Sequence, residues 1–460
     1  MIDHASGALE IASAVKGGTV SAVEVARAAL FRIEALDAHL GAFTAVTAER
    51  ALDEAASVDA RVRAGGDPGP LAGVPFAVKN LFDIKGLPTL AGSKINAGHP
   101  PAGADAELIR RLNDAGAVLV GALNMGEYAY DFTGENSHYG PSRNPHDPAR
   151  MSGGSSGGSG TAVAAGFVPL ALGSDTNGSI RVPSSFCGLF GLKPTFGRLS
   201  REGTFPFCSS LDHLGPLGRS AADLAAAYDA MQEPQTATPV SPVLGQGADG
   251  LRIAVAGDYF ARGADPAAFE AVATVAEALG AGERVVVPEA ARARAAAYVI
   301  TTAEGGNLHL ERLRNRAADF DPATRDRLLA GAMVPASWYL QAQRFRRWYH
   351  DRVMELFSRV DVILAPATPC TAPPIGQQTM VLDGVEMLVR PNIGIFTQPL
   401  SLIGLPVVAV PVPRPGGLPI GVQVVAAPGR EDLAFRVAAE LEARGICKAP
   451  VARGETSWER

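Results

Sequence analysis

A chain of 460 residues with a net charge of −6, 47% apolar and only 6% aromatic residues, is long enough for one large core or two ordinary ones. It contains no run of five or six basic residues, which argues against a nucleic-acid-binding or anionic-membrane-binding surface. The four cysteines (Cys187, Cys208, Cys370 and Cys447) stand far apart with no C-x-x-C pair, so they read as small apolar residues in a reducing compartment rather than a disulfide or zinc framework.

The N-terminus is interrupted by Asp3, His4 and Glu10 and does not read as a signal peptide, and no apolar run approaches bilayer length. A soluble cytoplasmic α/β protein is the expectation. Residues 6–65 carry helical patterning, with Ser21 and Glu24 spaced as a capping box. Gly and Pro then bracket a short β-rich run, residues 74–78, that ends on Lys79. The stretch "DAELIRRLNDAGAVLVGALNM" predicts a helix, a turn at Gly116 and a buried strand.

After the Gly/Ser block "MSGGSSGGSG" (151–160), "TAVAAGFVPLALGSD" predicts a small-residue helix and another buried strand, and a short helix starts near Ser179. Residues 230–250 read as a surface connection. A strand "LRIAVAG" and helix-rich sequence to about 358 follow, and strands return in "VDVILAPATP", "LPVVAVPVP" and "LPIGVQVVA" before a last helix over 430–444. The pattern predicts a single domain built on a mixed sheet covered by helices on both faces. Its parts would be N-terminal helices in 1–65, a core at about 66–225 and 355–450, and a helix-rich excursion at about 250–345.

The Gly/Ser block is the feature that asks for chemistry. A flexible linker would have polar flanks, whereas this block runs into an apolar helix and strand. A phosphate loop would need a G-K-[ST] arrangement, which is missing. Two G-x-S-x-G matches occur, but no strand reads directly into them as a nucleophile elbow requires. What remains is close approach: glycines let N–H groups and small hydroxyls crowd a reacting centre.

Two partners for the block stand out. In "GSDTNGSIR" a buried strand ends in a polar loop before a helix, where successive N–H groups can hold an oxyanion and a serine can act as nucleophile. Lys79, alone at the end of an apolar strand, is a general base if burial lowers its pKa. The alternatives are a surface lysine and a capping serine.

These stretches, "VPFAVKN", "GGSSGGSGTAVAAG" and "LGSDTNGSIRVPSSFCGLFGLKPT", resemble the amidase signature family. The resemblance implies hydrolysis of a small amide by a Ser–cis-Ser–Lys triad: Lys79, Ser155 after or within a cis peptide bond, and the nucleophile Ser179. It also implies an oxyanion hole from the N–H groups of Thr176, Asn177, Gly178 and Ser179, with no metal or organic cofactor. Asn177 stands where the family commonly has glycine, which bears on substrate range. Asp175 and Arg181 are expected to brace the loop, and His138 and His146 to be structural.

Further stretches, among them "GALNMGEYAYDF" and "FDPATRDRLLAGAMVPASWYLQAQRFRRWY", resemble the branch that hydrolyses 1-carboxybiuret with release of ammonia. That branch implies a small helper subunit, and the N-terminal helices are expected to pack against such a partner or, in a homodimer, against a second copy of the chain. A carboxylated substrate needs a cation to receive it. Arg312 and Arg314, with Asn307, are candidates, or else solvated helix residues; Tyr128 is either a pocket residue or core. The alternatives are the glutaminase subunit of a tRNA-dependent amidotransferase, a broad-specificity small-amide hydrolase, and a non-catalytic scaffold.

Overall fold

The computed structural model describes residues 2–452. Its strands, in chain order, are β1 (Phe43–Val46), β2 (Pro75–Lys79), β3 (Val118–Leu123), β4 (Arg143–Asn144), β5 (Asp147–Met151), β6 (Leu170–Asp175), β7 (Phe190–Lys193), β8 (His213–Gly218), β9 (Ile253–Ala256), β10 (Glu283–Val285), β11 (Val362–Pro366), β12 (Thr379–Leu382), β13 (Val385–Leu388), β14 (Val407–Val412) and β15 (Ile420–Ala426). Eleven of them form one mixed sheet in the order β1-β3-β2-β6-β8-β7-β14-β15-β11-β9-β10. β4–β5 and β12–β13 are separate two-stranded ribbons.

Every residue of β2, β3, β6, β7, β8, β11, β14 and β15 is buried. Such strands read as continuous apolar runs because helices cover both faces of the sheet. The capping box forms: Ser21 Oγ accepts the Glu24 N–H at 3.1 Å, and the Glu24 carboxylate accepts the Ser21 N–H at 2.9 Å. The four cysteines are free and buried. Among the described residues no helix is long and apolar enough to cross a membrane.

The pattern departs from expectation in three places. β1 lies inside the stretch read as helical, paired to the edge of β3. The segment 250–345 begins within the sheet rather than outside it, because β9 pairs with both β11 and β10. β8 occupies the middle of the sheet although "HLGPLG" carries two glycines and a proline.

The sheet brings the reactive segments together. β2 and β6 run parallel in the register Phe76↔Leu170, Ala77↔Ala171 and Val78↔Leu172. Lys79 therefore ends its strand beside Gly173 and Ser174. The helix Gly157–Ala164 packs over these strand ends, and the Gly/Ser block supplies its first turn.

The glycines of that turn are there for lack of room. A Cβ at Gly158 would stand 2.5 Å from the Ala42 carbonyl oxygen and 2.6 Å from the Asn124 N and O, all backbone atoms that cannot swing aside. Gly158→Ala is therefore expected to destabilise the protein by about 1–3 kcal/mol. Gly98→Ala, where nothing lies within 4 Å, serves as the near-neutral control, both read by urea denaturation.

Candidate active site

Lys79 is fully buried, and its Nζ donates to three hydroxyls: Ser155 Oγ at 2.6 Å, Ser174 Oγ at 2.8 Å and Ser156 Oγ at 3.0 Å. No carboxylate is among these partners. Burial lowers the lysine pKa to about 7, against the opposing pull of Asp175, Asp212 and Asp131. The three hydroxyls suit either protonation state. They accept from an ammonium, and one of them can instead donate to the lone pair of the neutral amine.

The Gly154–Ser155 peptide bond is cis. The block is laced to the loop 126–134: the Gly126 N–H donates to the Ser155 carbonyl at 3.1 Å, Gly154 N–H to the Phe132 carbonyl at 2.9 Å, and Gly153 N–H to the Thr133 carbonyl at 3.2 Å. A Cβ on Gly154 would fall 2.3 Å from Asp131 Oδ2. The Gly/Ser stretch is thus closely approached by backbone and side-chain atoms alike.

The second loop follows β6. The Asp175 carboxylate accepts the Gly178 N–H at 2.7 Å and the Ile180 N–H at 3.2 Å, and it pairs with Arg181 through two bonds of 2.9 Å. Burial raises the pKa of this carboxyl, but the Arg181 guanidinium outweighs it and holds Asp175 well below the usual carboxylate range. Arg181 also donates to the Thr397 carbonyl, Gln423 Oε1 and Ser401 Oγ. These contacts tie Asp175 and Arg181 to each other, to the loop that follows and to Thr397, Ser401 and Gln423.

The Gly178 N–H, one of the expected oxyanion donors, is taken up by Asp175. For the Thr176, Asn177 and Ser179 N–H groups no hydrogen-bond acceptor is found among the described residues. Asn177 does not adopt a left-handed backbone; the positive φ belongs to Gly178. Its side chain instead donates to Thr301 Oγ1 at 2.9 Å, and its carbonyl accepts from Thr397 Oγ1.

Other candidates lie elsewhere. Tyr128 is buried in an aromatic cluster with Phe205, His309 and Phe320, its hydroxyl on Asn96 Oδ1. Asn307 and Arg314 are exposed, and Arg312 lies over the Phe205 ring at 5.4 Å. Among the described residues no hydrogen bond, ion pair or ring contact joins any of them to Lys79, Ser155 or Ser179. His138 pairs with Glu127, and His146 with the Cys187 carbonyl.

Comparison with known proteins agrees with this geometry. The Amidase family model matches residues 24–434. The chain belongs to the amidase signature family. AtzE of Pseudomonas sp. (strain ADP), a component of 1-carboxybiuret hydrolase, is 55% identical over 96% of this chain and 99% of its own length. A component of the glutamyl-tRNA(Gln) amidotransferase of Salinispora arenicola is 40% identical over 95% of this chain and 96% of its own. A solved structure described as an unexpected vestigial protein complex, revealing the origins of an s-triazine catabolic enzyme, superposes with a TM-score of 0.95 at 54% identity, covering 96% of this chain and 100% of that one.

This amidase is a hydrolase acting on amide C–N bonds. Two residues around Lys79 lie outside the expectation from sequence. Ser156 and Ser174 complete the shell of Lys79; Ser174 can be found one residue past the position that faces Lys79 once β2 and β6 are paired. Arg327, on the helix Pro322–Ala332, borders the loop 126–134 that is laced to Ser155. Its guanidinium lies 4.0 Å over the Tyr130 ring and donates to the Tyr130 and Ala323 carbonyls, and it makes no ion pair among the described residues.

Two outcomes follow from this geometry. A protonated Lys79 cannot accept a proton, so kcat/KM is expected to rise with pH through about 7 and fall away below it, as measured by ammonia release across pH. Asp175→Asn would strand the buried Arg181 charge and is expected to cost about 3–5 kcal/mol in urea denaturation.

Proposed function

We propose that this amidase hydrolyses 1-carboxybiuret, releasing ammonia, with Lys79, Ser155 and Ser179 as its triad. The observation that carries the substrate is the 55% identity, end to end, to the 1-carboxybiuret hydrolase component. Neutral Lys79 draws a proton from Ser155 as Ser155 takes one from Ser179, and Ser179 Oγ attacks the amide carbonyl. The tetrahedral oxyanion faces the unengaged N–H groups of Thr176, Asn177 and Ser179; such donors are each worth about 10²–10³ in rate. The proton returns through Ser155 to the leaving nitrogen, which departs as ammonia. Water then repeats the sequence on the acyl-Ser179, and the proton comes back to Ser179 Oγ.

Arg327 receives the substrate carboxylate in this reading, in place of Arg312 and Arg314. It is the cation that borders the loop laced to Ser155 and lacks an acidic partner. The solved relative described as a protein complex supports a helper subunit for this chain too. The relatives from glutamyl-tRNA(Gln) amidotransferases support glutamine as the second substrate to try.

The test is ammonia release from 1-carboxybiuret generated in situ, from biuret and from glutamine, by the purified protein and by Ser179→Ala. Rapid turnover of carboxybiuret that falls by about 10⁴-fold or more in the variant is expected. Turnover of glutamine in preference would move the chain to the amidotransferase reading. Release that Ser179→Ala leaves intact would remove the triad.

A further inference from the structure

The loop 126–134 touches two things at once. Through Gly126, Phe132 and Thr133 it holds the backbone of Gly153, Gly154 and Ser155, and through the Tyr130 carbonyl and ring it holds Arg327. It therefore acts as a spacer between the base relay and the cation proposed for the substrate carboxylate. What fixes the spacer is a buried group outside the triad. Glu127, with a fully buried side chain, accepts from Ser93 Oγ at 2.7 Å and from the Asp321 N–H at 2.8 Å, and His138 Nε2 lies 3.0 Å from its Oε1.

Asp321 is the N-cap of the helix that carries Arg327. The tie is reciprocal, because the Asp321 carboxylate accepts the Ser137 N–H at 3.0 Å, one residue before His138. Loop and helix thus meet at three hydrogen-bonded points: Asp321 N–H on Glu127, Ser137 N–H on Asp321, and Arg327 on Tyr130. A helix anchored at its cap and again at its sixth residue cannot slide or rotate relative to the loop without breaking one of them.

We propose that Glu127 and His138 form a clamp that sets the distance between Arg327 and Ser155, making them positioning residues for binding an anionic substrate rather than for cleaving the amide bond. The proposal rests on the reading of Arg327 as carboxylate receiver. Losing the His138 bond leaves Glu127 a buried acceptor one donor short, which loosens its tie to Asp321, the N-cap of the helix that carries Arg327. The triad keeps its own shell of hydroxyls around Lys79, which the clamp does not touch.

The experiment compares His138→Ala, His138→Gln and Arg327→Met with the wild-type chain. Each is measured for KM and kcat on 1-carboxybiuret, and for the rate at which the neutral reagent phenylmethylsulfonyl fluoride labels Ser179, followed by mass spectrometry. His138→Ala is expected to raise KM about tenfold, with kcat within about twofold and labelling at the wild-type rate. His138→Gln, which can still donate to Glu127, is expected to recover most of the loss. An unchanged KM in His138→Ala, while Arg327→Met raises it, overturns the clamp and leaves Arg327 in place. An unchanged KM in Arg327→Met overturns both. Loss of labelling in parallel with KM in His138→Ala also overturns the clamp, because the pair would then be supporting the triad itself.

Discussion

Lys79 Nζ ends inside the protein with three hydroxyl oxygens around it and no carboxylate in hydrogen-bond contact. A lysine paired with an acid would stay charged and useless as a base; one left bare would lose its hydrogen bonds along with its charge. Hydroxyls avoid both outcomes, because they satisfy the nitrogen without stabilising its positive form as a carboxylate would. The three serines must reach a single point, and two of them are neighbours in sequence at the start of a helix. That requirement explains why the surrounding backbone is so poor in side chains.

The crowding around Lys79 is held from a distance. Arg181 and Asp175 form a fully buried pair, and such pairs are held as much by their extra hydrogen bonds as by their mutual attraction. Here the extra partners come from the loop after Asp175 on one side, and from Thr397, Ser401 and Gln423 on the other. The Asn177 side chain adds a contact to Thr301 on the helix Ala290–Leu308. The loop that carries Ser179 is thus fixed by segments from three widely separated parts of the chain.

Where the sequence carries a local physical signal, the structure follows it. The Ser21 capping box, the apolar strand ending on Lys79 and the small-residue helix after the Gly/Ser block are of this kind. β8 is illegible in the sequence because glycine there signals close approach rather than a turn. A Cβ on Gly215 would lie 2.0 Å from the Leu192 carbonyl oxygen, so the central strand requires the residue that elsewhere marks a break. The β12–β13 hairpin does have a signal, Asp383 and Gly384 between two apolar runs, but a short one that stands apart from the main sheet pattern. Arg327 cannot be found by inspection. Its helix also carries Arg325, and what separates the two is that Arg325 pairs with Asp326 while Arg327 makes no ion pair among the described residues.

The anchoring of Arg181 also has a meaning for how the protein is made. Chains emerge from the ribosome N-terminus first, and segments fold as they become available. Lys79, Ser155 and Ser179 all emerge well before Thr397, Ser401 and Gln423 do. The nascent polypeptide therefore carries all three residues of the proposed triad for about half of its synthesis while the loop that holds Ser179 still lacks its outer supports. Hydrolytic competence arrives late, as a property of the finished chain.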